Sequence, residues 1–409
     1  MFDVVVVGAR CAGSPLAMLL SRQGYRVLLL DKATFPSDRI STHLIRPPGV
    51  AALHRWGLWD RIAAGRPAIC YTAATSFPGG ILRGPWHAVD GIAYTVNMRR
   101  FKLDAILVDA AHAAGAELRE GVVVDQLLYD GEQVVGVAGR ELRSGLRFEE
   151  RARMVVGADG RQSFVAKAVR APIYNGHPSL TASYYTYVTA IDKDPDVDEI
   201  YTRPPREYLF IPTDDGLTLV NVVIARPLIE AFRQDVTASF YAAFDLEPAL
   251  GERLRAAERV GPIVGAVELP NFYRKPYGPG WALVGDAGYH RDPIRAQGIH
   301  EAFLDAEVLA HALDDGLAGR RSLAGALRSY EQARDERTAF PYQICLSAAR
   351  FDPPQQDTFQ NLVERMQDKP AAIAEFMGLV AGSMRPEVFF DPAHLQALLG
   401  PARNGDSGR

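Results

Sequence analysis

Three features of the sequence predict an α/β protein of two domains with a C-terminal helical segment. The chain opens on a strand, a glycine turn, a helix and a second strand. Two later apolar strands, Arg153 to Val156 and Trp281 to Val284, each run into a Gly/Asp turn. Three long strands lie between Thr181 and Ile224. At 409 residues and 48% hydrophobic content the chain can bury two sizeable cores.

Phe2 to Val7 is a β-branched run that reads as a buried parallel strand. Gly8-Ala9-Arg10-Cys11-Ala12-Gly13 is a tight turn. Ser14 to Arg22 carries Leu16, Leu19 and Leu20 at helical spacing, with Pro15 tolerated in the first turn. Gly24 closes that helix, and Arg26 to Leu30 is a second apolar strand ending at Asp31. Together they form a Rossmann-like dinucleotide unit. Gly8 permits the sharp turn, and Gly13 lets the helix pack closely on the sheet while its N-terminal N–H groups face a pyrophosphate. Asp31 is placed to accept both hydroxyls of an adenosine ribose. Arg10 replaces the middle glycine of GxGxxG and is expected to turn outward or partly cover the phosphates. An ordinary βαβ unit with a glycine turn is the competing reading.

Residues 33 to 49 are rich in Pro, Ser and Thr and read as a polar loop carrying Arg39, His43 and Arg46. Pro47 and Pro48 start a helix that Gly57 ends. Residues 66 to 97 read as short strands around Gly79-Gly80, anchored by Tyr71, Phe77 and Trp86. Asn97 is expected to cap a helix running to Ala114. Glu117 to Tyr129, Val134 to Val137 and Leu146 to Phe148 read as a meander, and Arg153 to Gly160 (RMVVGADG) as a buried strand. Thr181 to Ile191, Glu207 to Pro212 and Leu217 to Ile224 are strands, the last two joined by the turn Thr213-Asp214-Asp215-Gly216. Alternation puts Tyr185 and Tyr187 on one face and Tyr184 on the other. Pro227 to Phe244, Pro248 to Ala257, Ile294 to Leu313, Ser322 to Arg350 and most of 354 to 399 read as helical. The last nine residues read as disordered.

A net charge of −4 and the absence of any basic block give no sign of nucleic-acid or anionic-membrane binding. Cys11, Cys70 and Cys345 are too few and too scattered for a disulfide framework or zinc site, and no metal is expected. Cys11 reads as a small filler in the turn. The first strand follows Met1 at once, so no signal peptide is expected. No apolar run reaches ~18 residues, so no integral membrane segment is expected. A cytoplasmic, soluble enzyme fits, with its oligomeric state open.

GARCAG with Asp31, GADG at 157–160 and GDAGYHRDPIRAQGIHEAFLDAEVLA at 285–310 resemble, in order and spacing, the flavoprotein superfamily built on para-hydroxybenzoate hydroxylase. That superfamily also holds geranylgeranyl reductases and flavin-dependent halogenases. The resemblance covers roughly residues 1 to 345. It implies a Rossmann-like FAD-binding domain (1–70, 93–175 and 265–345), a β-sheet substrate domain (71–92 and 176–264) and a helical tail (346–409). It implies that Gly8, Ala9, Cys11, Ala12 and Gly13 hold FAD, with Asp31 and Lys32 at the second strand's end. Arg100, in RRFKLD, resembles the arginine that reaches the FAD pyrophosphate. Arg39 is a second candidate there. Gly285 and Asp286 meet the ribityl chain or a ribose, and Pro293 lies against the flavin ring. Gln297, Gly298 and Ile299 begin the helix facing the flavin's C2 carbonyl, where its positive end would stabilise reduced flavin. Asp159 and Gly160 resemble the motif that serves FAD and a transient nicotinamide donor. With no second nucleotide unit, NAD(P)H is expected to dock briefly near Asp159.

The reaction expected is oxygen insertion into a small aromatic or unsaturated substrate by FAD, NAD(P)H and O2 through a peroxyflavin. Reduction of a C=C bond is the alternative. Halogenation is less favoured, because the Trp-x-Trp-x-Ile-Pro motif is absent and no lysine occurs between Lys32 and Lys102. A binding module on the same fold is a further rival. His290 and His43 are candidate proton donors or bases, and Tyr289 and Pro293 border the reaction centre. Either histidine would equally serve as a loop hydrogen-bonding residue. Tyr185, Tyr187, Tyr208, Phe210 and Asn221 are candidate substrate residues, with plain core packing as the other reading for the aromatics. Arg39 and Arg46 would bind an acidic substrate or the FAD phosphates, or be solvated loop charges.

Overall fold

The computed structural model describes residues 1–78, 80–351 and 356–400. The expectations for Gly79, for helix at 354–355 and for disorder at 401–409 lie outside the described residues. The fold is mixed α/β with a C-terminal helical stretch.

Phe2–Val7 lies at the centre of an eight-stranded sheet, parallel to Val27–Leu30 on one side and to Arg147–Gly157 on the other. Glu117–Arg119 extends it beyond Val27–Leu30, and Trp281–Leu283 beyond Arg147–Gly157. These central strands are buried on both faces, which is why they are runs of Val and Leu rather than alternating. Helices Gly13–Arg22, Arg100–Ala113 and Gly298–Leu317 cover one face through Leu16, Leu103, Leu107, Phe303 and Leu309. The antiparallel strands Val122–Asp130 and Gln133–Glu141 cover the other with Val122, Val124, Val134 and Val137. Leu146 to Phe148 and Arg153 to Gly157, expected as separate elements, are two ends of one long strand. Its polar half pairs with the meander, and its apolar half enters the central sheet.

A seven-stranded sheet stands over this domain, in the order Glu258–Ala266, Thr181–Thr189, Thr218–Ala225, Arg206–Pro212, Val197–Arg203, Thr72–Phe77, Gly80–Pro85. Helices Ile229–Gln234, Val236–Asp245 and Pro248–Ala256 close one of its faces. Toward the FAD motifs, the other face meets Leu44, Ile294, Ala296, Cys345 and Ala349. The C-terminal helices pack against its far end, where Ala73, Phe77, Leu82 and Trp86 meet Ile373, Phe376 and Met377.

Three local expectations are corrected. Asn97 does not cap the helix at 100. It ends the strand Thr95–Asn97 and donates to buried Asp198, and Arg99 takes the cap position. Tyr71 is no anchor, being 55% exposed at a break between strands. The helix expected from Ile294 begins at Gly298, because Ala296 adopts φ +48° after a 3-10 turn at Pro293–Arg295. No helix among the described residues is long and apolar enough to cross a membrane. The three cysteines are free and buried.

Candidate active site

The three motifs meet at one point. A Cβ on Gly13 would stand 1.8 Å from the Gly8 carbonyl oxygen, and one on Gly8 would stand 2.4 Å from that of Ala158. A Cβ on Gly285 would touch Ala12 at 2.9 Å. Glycine is therefore required where the turn, the GADG strand end and the Gly-Asp strand end crowd together. The contacts also bring the segments carrying Asp31, Asp159 and Asp286 into one region, although they are far apart in sequence.

Asp31 is buried and accepts from Ala9 N and Ala33 N, both at 2.7 Å, which orients its carboxylate beside the turn. Lys32 is exposed. Arg10 does not turn away. It donates to Asp104 at 2.5 Å and to Ser37 at 2.8 Å, and lies over the Phe35 ring. Arg100 donates to the same Asp104 at 2.9 and 3.0 Å. One buried carboxylate thus serves two guanidinium groups, leaving net positive charge beside the glycine turn. Arg39 is exposed. Its pKa is lowered by partial burial and by repulsion from Arg10, partly offset by Asp31, with Arg100 and Arg161 adding to the repulsion. Cys11 lies against Asp104, and burial pushes its thiol pKa well up, so it is a filler and no nucleophile.

Asp159 puts one carboxylate oxygen on Phe164 N at 2.7 Å, capping the short helix Phe164–Ala168, and leaves the other oxygen buried without a partner. Gly160 turns the chain at φ +80°. Asp286 is exposed between buried neighbours, as is Gly298, where an added Cβ would meet nothing within 4 Å. No side chain caps the twenty-residue helix that Gly298 begins, so its positive end faces open space. Ile299 turns into the core, and Gln297 donates to the Val380 carbonyl of the C-terminal helices. These residues fit FAD: a glycine cradle, a cationic cluster for a diphosphate, carboxylates for hydroxyls, and a free helix terminus.

Between these anchors, Asp292 accepts from Thr181 at 2.6 Å and from Ile294 N at 3.1 Å, pinning the Pro293 turn under the seven-stranded sheet. Tyr289 packs on Tyr273, with ring centroids 4.6 Å apart, and near Tyr342. His290 is held by a hydrogen bond to the Pro270 carbonyl and stacks on Phe272, and burial lowers its pKa. The Pro270 carbonyl can only accept, so Nδ1 carries the hydrogen of that bond.

The sheet register sorts the substrate candidates. Tyr185 stands opposite Asn221, which stands opposite Leu209, while Tyr187 stands opposite Leu219. Tyr185, Tyr187 and Asn221 therefore share the face above Pro293. Tyr208 and Phe210 stand opposite Val222 and Val220 on the other face, in the core beneath the covering helices, where the Tyr208 hydroxyl donates to the Ala243 carbonyl. The period of two removes both from the site. His43 joins Tyr187, its Nε2 2.6 Å from the phenol oxygen and the rings stacked at 5.8 Å; Tyr185 lies edge-on to both. Burial first, then the charge of Arg100, brings the His43 pKa down to about 3. Asp214, in the hairpin turn, accepts from Arg99 N and its guanidinium at 2.7 to 3.0 Å, clamping the sheet to the start of the helix that carries Arg100.

Sequence reasoning missed Asp104, the common acceptor of Arg10 and Arg100, although i,i+4 spacing from Arg100 announces it. It also missed Glu207, a charge in phase with the inward residues Leu209 and Ile211.

The family model described as FAD binding domain matches residues 1–343. The chain is 25% identical over 338 residues to a tryptophan 2-halogenase of Chondromyces crocatus, covering 80% of this chain but only 64% of the halogenase's length. It is 26% identical over 364 residues to digeranylgeranylglycerophospholipid reductase 2 of Methanopyrus kandleri, covering 86% of each chain. A solved flavin-dependent brominase shares the fold with a TM-score of 0.82 at 21% identity over 97% of both chains. With the motifs converged and most of its length matched, this chain belongs to the FAD binding domain family, within the flavin-dependent monooxygenase and oxidoreductase superfamily.

Proposed function

We propose that the protein is an FAD-dependent monooxygenase that places one oxygen atom of O2 into a small aromatic or unsaturated substrate, with NAD(P)H as reductant. The observation that carries this reading is the closed face above Pro293. Tyr185, Leu209, Ile211, Leu219 and Val223 of the sheet pack with Ile294 and Ala296 into one buried cluster, so bulk water is kept out. FAD, when bound, supplies hydride acceptance from NAD(P)H and activation of O2.

The chain's own residues do the rest. The glycine turn, Arg10 and Arg100 would hold the diphosphate, Asp31 and Asp286 the hydroxyls, and the Gly298 helix end the electron-rich edge of the reduced ring. The His43–Tyr187 pair keeps a polar group inside an otherwise apolar wall, at the phenol oxygen and Nε2, where it can orient a substrate hydroxyl. Asp159, with its unpartnered oxygen, would meet the transient nicotinamide donor. All six lysines lie elsewhere. Lys32 and Lys167 are exposed, and Lys102, Lys193, Lys275 and Lys369 are bound to other partners. The lysine associated with halogenases therefore has no counterpart on the closed face. Reduction of a C=C bond is the second reading, favoured by the even coverage of the archaeal reductase.

The test supplies NAD(P)H and isotopically heavy O2 to the FAD-loaded protein with a panel of phenols and polyenes. A product carrying one heavy oxygen atom is expected. A product that gains only two hydrogens, formed equally well without O2, overturns the monooxygenase in favour of the reductase.

A further inference from the structure

We propose that Arg46 anchors a carboxylate of the organic substrate, at a subsite where Arg295 and Trp86 supply further donors and Glu207 and Gln297 supply acceptors for a donor group of the same substrate. The proposal rests on the reading above for placing the flavin ring at the Pro293 turn, and it names the substrate class that reading leaves open.

Arg46 follows the strand Leu44–Ile45 and is only 2% exposed, although it lies in a loop that reads as polar in sequence. Among the described residues its guanidinium makes one hydrogen bond, from Nη2 to the Arg295 carbonyl at 2.7 Å, and it lies over the Trp86 ring at 5.1 Å. Its Nε has no partner, and among the described residues no carboxylate pairs with it. The charge of Asp198 favours the Arg46 cation, but its oxygens are bound to Thr95 at 2.5 Å and Asn97 at 2.7 Å.

The neighbours are half satisfied in the same way. Glu207 is fully buried. One of its oxygens accepts from Thr202 at 2.8 Å and faces Arg295 at 3.4 Å, and the other has no partner. Trp86 Nε1 and Arg295 Nε are buried donors without partners, which a carboxylate satisfies, whereas Glu207 Oε1 and Gln297 Oε1 are unpartnered acceptors that call for a donor group on the same ligand. Burying an unpaired guanidinium is costly, and each unmade hydrogen bond adds to that cost. A carboxylate matches the planar fork and removes the penalty at its source. Arg46 stands three residues beyond His43 and bonds the turn that contains Pro293, which sets the anchor beside the closed face.

The experiment titrates FAD-loaded protein by calorimetry with benzoate, its neutral counterpart benzamide, and sodium chloride, with flavin absorbance recorded in parallel. Benzoate is expected to bind more tightly than benzamide by about tenfold or more. Arg46→Met should abolish that preference with FAD content retained, and Arg46→Lys should keep part of it. Equal weakening of both ligands in Arg46→Met, or no preference in the wild type, overturns the proposal. Chloride displacing benzoate at matching concentration also overturns it, marking an inorganic-anion site instead. If Arg46→Met does not fold, the wild-type ratio and Arg46→Lys decide. No donor or oxygen is present, so failure here leaves the heavy-oxygen assay untouched, and failure there leaves this binding result standing.

Discussion

The two faces of the seven-stranded sheet are made by the same strands and have opposite characters. Beneath the covering helices lie Tyr184, Tyr208, Phe210, Val220, Val222 and Phe244, closely packed; the Tyr208 hydroxyl is satisfied, while the hydroxyls of Tyr184 and Thr186 are buried without partners. Above Pro293 the alternating neighbours include Asn221 and Glu207, both with buried unpartnered oxygens, and Tyr187 bound to His43. Unpartnered atoms occur on both faces, so the distinction is the kind of group: neutral hydroxyls beneath the helices, a buried carboxylate and an amide above Pro293. On the function proposed above, the face with the carboxylate, amide and histidine belongs to the ligand and the aromatic face to the fold.

The sharpest break of the comparison comes from truncating the dry face. Phe244→Ala, buried among Tyr208, Phe210 and Phe240, is expected to cost about 3–5 kcal/mol in urea unfolding. The protein that remains folded should still carry its full complement of FAD. A loss below about 1 kcal/mol would mean that the helices do not pack on the sheet as described.

Asp292, on the ligand side, gives the next effect through pH. Burial raises its pKa to about 6 against the hydrogen bond from Thr181. The neutral carboxyl is thus favoured in the folded state. Its contribution to stability is full below the ordinary value of 3.8 and is lost as pH rises through about 6. Asp292→Asn should therefore gain about 2–3 kcal/mol relative to wild type between those limits, with a flat difference outside them. A difference that falls with rising pH would reverse the assignment.

Paired phenol deletions sharpen the contrast. Tyr208→Phe and Tyr187→Phe each remove one hydroxyl and are each expected to cost about 1 kcal/mol. Only Tyr187→Phe, which leaves His43 Nε2 unpartnered, should lower turnover per FAD. Equal turnover in the two variants would make the His43–Tyr187 pair structural.

Asn221→Leu carries the smallest effect on stability. It removes an unpartnered amide oxygen but also breaks a 2.7 Å bond to Ser183. The net change should fall within about 1 kcal/mol of zero, with the cost appearing in substrate KM. A large destabilisation would show Asn221 to be fully satisfied in the folded protein.

The FAD half of the site was legible because its signals are local. A β-branched run, a glycine at a turn and a carboxylate at a strand end each act within a few residues, and the crowding of Gly8, Gly13 and Gly285 confirms why those residue types stand there. Alternation also placed Tyr184 opposite Tyr185 correctly. Tyr208 and Phe210, substrate candidates with core packing as the other reading, lie in the core, because the phase of one strand relative to another is set by pairing, which a single strand's pattern does not contain. Asn97 failed as a cap: its capping residue type was read without Asp198, a hundred residues away, which takes its amide.

The sequence by itself determined the βαβ unit, the order of the three nucleotide motifs, the hairpin at Asp214-Asp215 and the helical tail, since short-range sterics and hydrophobic period encode these. Only the tertiary structure decided that Arg10 and Arg100 share Asp104, and that the tail closes the far end of the sheet. It alone decided that Arg46, in a polar loop, is buried against a carbonyl 249 positions further along the chain. Burial and hydrogen-bond satisfaction belong to the packed arrangement of distant segments, so the same arginine reads as a solvated loop charge in the sequence and as an unpaired buried cation in the fold.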